Sequence, residues 1–244
     1  MRMRKKPNLL PRLERVAGVQ ISDPEAMRGK WRETFPDYEK LWVELGCGKG
    51  RFTAGLAAEN PRVLLAAVER VPDAMVMAME RCVAAGLANV RFMDRDVAEL
   101  GELFAPDEVD GIYINFCDPW PKSRDAKHRL TAPDFLRQYA ALMPTGGRIY
   151  FKTDNLPLFD WSERQMLDEG WSVGEVTRDL HANGECGIMT DYEEKFHRQG
   201  VKINRLVAEK TAATKTTADG QHERLRNAGL RDARGYKESM EASE

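Results

Sequence analysis

From residue 41 the apolar positions fall into a regular alternation. LWVELG (41–46) is a short apolar run closed by glycine, the pattern of a buried strand. Residues 50–59 have helical spacing, and VLLAAVE (63–69) is a second buried run. PDAMVMAMERCVAAG (72–86) predicts a helix, with proline at its start and glycine at its end. NVRFMD (89–94) is a third strand. A short helix near 97–104, a strand at 110–115, a helix near 133–142 and a strand at 147–153 follow. Strands alternating with helices require a parallel sheet joined by crossovers, so the fold class is α/β, doubly wound and Rossmann-like. After Gly170 the period changes. WSVGEVTRD (171–179) and VKINRLVAE (201–209) read as two strands without a long helix between them, which predicts an antiparallel edge to a mostly parallel sheet.

The ends of the chain differ from this body. Residues 1–22 read as a basic arm, interrupted by Pro7, Pro11 and Gly18. Residues 23–34 predict a short helix with Asp23 as its N-cap, stopped by Pro36. Residues 210–244 contain few large apolar residues. They predict a disordered tail, because the surface they could bury does not offset the entropy of ordering them. The expected organisation is therefore an arm (1–22), one domain (23–209) and a tail (210–244), a division that suits 244 residues.

Charge sharpens this picture. The formal total is −2, which taken alone argues against a nucleic-acid partner. Residues 1–15, however, carry six basic side chains against Glu14, and Lys122, Arg124, Lys127 and Arg129 stand against Asp125 alone. Two basic islands sit in an acidic body. Cys47, Cys82, Cys117 and Cys186 show no paired spacing, which disfavours a disulfide scaffold or a zinc site and fits a reducing cytoplasm. No apolar run approaches the ~20 residues of a membrane span. The four histidines have no metal-ligand spacing, so no metal is expected.

The candidate chemistry lies where strands end. Strand one runs into Glu44-Leu45-Gly46-Cys47-Gly48-Lys49-Gly50, and glycines there let backbone N–H groups approach a ligand. Strand two ends in Glu69, about twenty residues on, where an acid can accept from ribose hydroxyls. Asp94 and Asp96 follow strand three, placed to accept from an adenine amino group. Together these read as a site for an adenosine-bearing cofactor. Glu44 would repel a pyrophosphate and suit a cationic ligand end, which favours S-adenosylmethionine over NAD. Strand four runs into Asn115-Phe116-Cys117-Asp118-Pro119-Trp120-Pro121-Lys122, a loop stiffened by two prolines, with Asp118 where cofactor and substrate would meet. Trp120 could stack on a base or pack under the loop. The sequel Lys122–Arg129 is basic and reads as mobile, with the composition of a phosphate-contacting segment.

VELGCGKGRF, Glu69, DPWPK, FKTDN (151–155) and TDYEEKF (190–196), in that order, resemble the bacterial tRNA (guanine-N7-)-methyltransferase family, as do MRMRKKP and GKWRETF (29–35). The resemblance spans about residues 1–209. It implies a class I methyltransferase fold, S-adenosylmethionine as donor, and N7 of the guanosine at position 46 of the tRNA variable loop as target. Carried over, Glu44, Gly46, Gly48, Glu69, Asp96 and Asp118 would hold the cofactor, with Asp118 also the active-site acid. Lys122, Asp154, Thr190, Asp191, Tyr192 and Glu193 would bind the nucleoside, and Arg124, Lys127, His128 and Arg129 the RNA. Three positions depart from the family pattern: Cys117 replaces a proline, Asp125 a histidine and His128 an arginine. The last two remove positive charge from the RNA segment.

Guanine N7 carries an in-plane lone pair, so the expected task is orientation rather than proton abstraction. A carboxylate accepting from guanine N1–H and NH₂ would select guanine over adenine. Asp118, Asp154 and Glu193 are the candidates. Thr153 could cap a loop or meet ribose. The competing readings are a class I methyltransferase acting on a protein or small molecule, a catalytically silent tRNA-binding module, and an NAD-linked oxidoreductase. The site acids are intact and the basic islands are present, which favours the RNA enzyme. Monomer and homodimer are equally compatible with the sequence.

Overall fold

A computed structural model describes residues 8–217. Among these residues seven strands form one sheet in the order β3-β2-β1-β4-β5-β7-β6. They are β1 (Lys40–Leu45), β2 (Val63–Val68), β3 (Val90–Met93), β4 (Gly111–Asn115), β5 (Arg148–Thr153), β6 (Ser172–Thr177) and β7 (Asn204–Glu209). The first five are mutually parallel, and β7 runs antiparallel to both β5 and β6. Strand order reverses between β1 and β4, the place where open α/β sheets bind ligands.

Among the described residues eight α-helices accompany the sheet: α1 (Leu9–Arg15), α2 (Trp31–Thr34), α3 (Arg51–Glu59), α4 (Pro72–Ala84), α5 (Leu100–Leu103), α6 (Pro133–Leu142), α7 (Leu156–Asp168) and α8 (Asp191–His197). Every residue of β2 is buried, because helices cover both faces of the sheet. Alternation along the strands divides the core in two. Leu64, Ala66 and Val68 pack with Leu136, Tyr139 and Phe159, whereas Leu65 and Ala67 pack with Phe52, Leu56, Met75 and Met79. Truncating a fully buried member such as Met79 to alanine would cost about 2–5 kcal/mol.

Several local expectations change. The helix expected over 23–34 is broken into a 3₁₀ turn (Glu25–Met27) and α2, because Gly29 between them has φ +77°. Asp23 still caps the first piece, accepting from the Ala26 amide at 3.2 Å. The arm contains a helix, α1, anchored on α4 by Arg12 and Glu80 (2.6 Å). α7 has no counterpart in the sequence reading. Residues 210–217, expected as the start of a tail, are fixed to the body. Thr211 and Thr214 donate their hydroxyls to the Gly170 carbonyl, and the Lys215 amide donates to Glu169 O. Residues 1–7 of the arm and 218–244 of the tail lie outside the described residues.

Candidate active site

A cavity of about 260 Å³ opens at the carboxyl ends of β1, β2 and β4. Its wall includes Gly46 after β1, Glu69 after β2, Asp96 after β3, Asn115 at the end of β4, and Phe116 through Asp118 and Trp120 beyond it. The acids thus reach one place because parallel strands end at one edge. The Glu69 carboxylate accepts from the Gly48 amide (3.0 Å) and the Val71 amide (2.9 Å). Burial pushes its pKa up, and those two amides oppose the rise. Asp96 caps the following 3₁₀ turn, accepting from the Ala98 amide at 2.9 Å, and keeps one oxygen 3.6 Å from Arg70. Asp118 is exposed and has no hydrogen-bond or ion-pair partner among the described residues.

Two glycines of the loop serve different purposes. Gly46 has φ +75°, and a Cβ there would meet nothing within 4 Å. That open space belongs to the cavity, so the backbone is bare toward a ligand. Gly50 has φ +77°, and its Cβ would lie 2.5 Å from Ala78 Cα. It is required by the close approach of α3 to α4.

Glu44 does not line the cavity. It is 2% exposed, beneath the glycine loop, and accepts from the Thr53 hydroxyl at 2.6 Å. Burial lifts its pKa to about 7, against the Thr53 bond and the Lys152 charge.

The loop after β4 is held in a strained form. Phe116 and Trp120 have φ +54° and +41°, values costly for residues with side chains. Arg129 stabilises it by donating to the carbonyls of Pro119 and Trp120, both at 3.0 Å, while its guanidinium lies 4.4 Å from the Trp161 ring centroid. Arg129, expected on the RNA, is thus occupied within the protein. Trp120 lines the cavity and meets His128 at 5.2 Å between ring centroids. Ser123–His128, expected to be mobile, is a 3₁₀ turn. Lys122 and Arg124 are exposed, and Lys127 stands at the cavity rim. Burial raises the Cys117 thiol to about 12, so no thiolate forms near neutrality.

The T-x-Y-E segment opens α8 with a capping box: the Glu193 amide donates to Thr190 Oγ1, and the Thr190 amide to the Glu193 carboxylate. Tyr192 is 47% exposed, stacked on Phe196 and 5.3 Å from the Phe116 ring, so it adjoins the cavity loop. Burial, then the nearby Asp154 charge, pushes the Tyr192 hydroxyl up. Asp154 is half-buried just past β5. Thr153 is buried and accepts from the Asn155 amide, the loop-capping role. Asp191 pairs with Arg81 (3.1 Å). Glu193 is fully buried and outside the cavity wall. Lys152, Thr53 and His181, which hold Glu193 and Glu44, receive no site role in the sequence reading. A lysine inside the apolar strand IYFKT was the one available signal.

This donor set suits an adenosine-bearing cation. Acceptors converge from three strand ends, and the loop at Gly46 leaves room for close approach. Among the described residues, no group of three or more His, Cys, Asp or Glu is arranged to hold a metal ion, and no helix is long and apolar enough to cross a membrane.

Residues 38–206 match the model of a family described as "Putative methyltransferase". A tRNA (guanine-N(7)-)-methyltransferase of Listeria monocytogenes is 40% identical over 209 residues, covering 85% of this chain and 98% of the relative. One from Streptococcus suis is 40% identical over 210 residues, covering 86% and 99%. Among solved structures, the 16S rRNA methyltransferase KamB aligns with a TM-score of 0.58 at 17% identity, covering 75% of this chain and 93% of that one. The 16S rRNA (adenine(1408)-N(1))-methyltransferase of Catenulisporales acidiphilia aligns with 0.54 at 15%, covering 78% and 94%. At such identities the likeness is one of fold alone: the class I methyltransferase sheet.

Proposed function

The chain belongs to the tRNA (guanine-N(7)-)-methyltransferase family, and from that premise we propose that it methylates N7 of a guanosine in tRNA, at position 46 of the variable loop, with S-adenosylmethionine as donor. The observation that carries this reading is the convergence of Glu69, Asp96 and Asp118 on one cavity whose loop touches the T-x-Y-E helix through Phe116 and Tyr192.

In this reading Glu69 accepts from the ribose hydroxyls and Asp96 from the adenine amino group. The backbone at Gly46 and Gly48 admits the ligand closely, and Glu44 supplies negative potential from beneath the loop. When bound, the donor supplies an electrophilic methyl carbon on a cationic sulfur.

The chain's own work is orientation. N7 needs no base, so Asp118 does not abstract a proton. It lies at the cavity lip, accepts from the guanine edge or the cofactor, and stabilises the positive charge that grows on the base. Asp154, past the neighbouring strand, is the second acid for the N1–H and NH₂ edge. Tyr192, stacked on Phe196, offers a face on which an unstacked base can lie. Lys122, with Thr190 and Asp191, positions the nucleoside. Arg124, Lys127 and His128 meet the RNA backbone, and Arg129 acts one step removed by shaping the loop. A tRNA substrate suits a cytoplasmic enzyme.

The test is incubation of the protein with unmodified tRNA and methyl-labelled S-adenosylmethionine, followed by nucleoside digestion. Label in 7-methylguanosine is expected, and it should vanish in Asp118→Ala with the fold retained. Label in another nucleoside, or full activity in that variant, would refute the assignment.

A further inference from the structure

α8 carries three acids near its start, and each is held by a base from a different element. Asp191 pairs with Arg81 of α4, Glu194 with Arg51 of α3, and Glu193 with Lys152 of β5. The first two pairs are half-exposed and weak in the usual way. The third is not. Lys152 Nζ donates to Glu193 Oε2 at 2.6 Å, with the side chains 9% and 0% exposed. The same ammonium donates to the Ile188 carbonyl at 2.9 Å and lies 5.0 Å from the Phe52 ring centroid.

The other oxygen of Glu193 is also taken. His181, buried, has Nε2 3.1 Å from Glu193 Oε1. The Cys186 amide donates to His181 Nδ1 at 3.1 Å. A ring nitrogen that accepts carries no proton, so the hydrogen is on Nε2 and points at Glu193. Glu193 therefore receives Lys152 and the Thr190 amide on Oε2, and His181 on Oε1. It has no exposed surface left for a base edge. Its neighbour Tyr192 is half-exposed, since consecutive helix positions point in different directions.

We propose that Lys152, Glu193 and His181 form a buried polar lock that positions the 181–197 segment, so that Glu193 serves the substrate site by orienting Thr190 and Tyr192 and Lys152 is a positioning residue for tRNA. The substrate half of this statement rests on the reading above. Two further facts fit a lock. A Cβ on Gly55 would come within 2.7 Å of Ile188 Cγ2, so the segment sits closely on α3. Glu44 also acts on Lys152 electrostatically, which links the lock to the acid beneath the cofactor loop.

The experiment compares Lys152→Met, Glu193→Gln and the double variant with wild type. Hydrogen exchange, followed by segment, tests the lock without activity. In Lys152→Met, amides of 181–197 should exchange at least about tenfold faster, while those of β1–β4 keep their protection. In steady-state assays the same variant should raise KM for tRNA about tenfold, with S-adenosylhomocysteine affinity within about twofold of wild type. The double variant should lose no more than the worse single variant, as groups acting as one unit do. If Lys152→Met does not fold, the double variant buries no unpaired charge and carries the same comparison. Unchanged exchange in 181–197, faster exchange across the whole sheet, or additive losses from the two single changes would overturn the proposal. Additive losses would mean that Glu193 meets the substrate itself. If the wild type formed no 7-methylguanosine, the functional reading would fail while the exchange result still decided the lock.

Discussion

The Glu69 carboxylate at the end of β2 accepts from the Gly48 amide at 3.0 Å, so one acid both faces the cavity and fixes the glycine loop after β1. The cavity and the loop that shapes it are therefore one device. Glu69→Ala should abolish detectable S-adenosylhomocysteine binding by calorimetry. It should also lower stability by about 1–3 kcal/mol, because the Gly48 and Val71 amides lose a buried acceptor. A variant that bound normally would remove Glu69 from the site.

Glu44 makes a pH-dependent prediction. Its folded pKa is raised to about 7 by burial. Between the ordinary carboxylate range and pH 7 the native state thus holds a proton that the unfolded chain has released, and stability falls as pH rises through that window. Glu44→Gln removes this slope. Its Tm should match wild type near pH 4 and exceed it above pH 7, by an amount equivalent to roughly 3 kcal/mol. The same variant should bind S-adenosylmethionine weakly. Wild-type affinity for that cation should rise with pH through 7, since the ligand favours the ionised acid.

Arg129 and Arg124 lie five residues apart and should fail differently. Arg129→Ala leaves the Pro119 and Trp120 carbonyls without their donor and bares Trp161, so kcat should drop and stability should fall by about 1.5–3 kcal/mol. Arg124, with a side chain 78% exposed, pairs with Asp125 at 3.8 Å. Arg124→Ala should leave kcat and Tm unchanged, weaken tRNA binding, and reduce the slope of log Kd against log salt by about one unit. A salt-independent Kd would contradict RNA contact by this segment.

Gly50→Ala should be tolerated by neither backbone nor packing. With φ +77° and Ala78 2.5 Å from the new methyl, the urea midpoint should fall by an amount equivalent to at least about 2 kcal/mol. A near-neutral effect would show that α3 and α4 are less closely apposed.

The parallel core was readable because it is buried on both faces: VLLAAV leaves no polar alternation to misread. α7 was not, because Pro157 looks like a breaker and proves to stand in the first turn, behind an Asn155 cap. Gly29 lies inside the helix expected over 23–34, and its left-handed backbone divides that helix. The acids at strand ends were legible from topology, since parallel strands bring their ends together. What their side chains do was less so. Glu193 reads from sequence as a substrate acid, and only the folded chain places Lys152 and His181, 41 and 12 residues away, against it. Arg129 likewise reads as an RNA contact until the loop folds back on it.

The proposed methyl acceptor is one atom of one base. A tRNA transcript carrying 7-deazaguanosine at position 46 keeps the Watson–Crick edge and replaces N7 by carbon. This RNA should bind the protein with affinity close to that of the guanosine form and accept no label from S-adenosylmethionine. Methyl transfer to the 7-deaza transcript at a rate comparable to the guanosine transcript would contradict it.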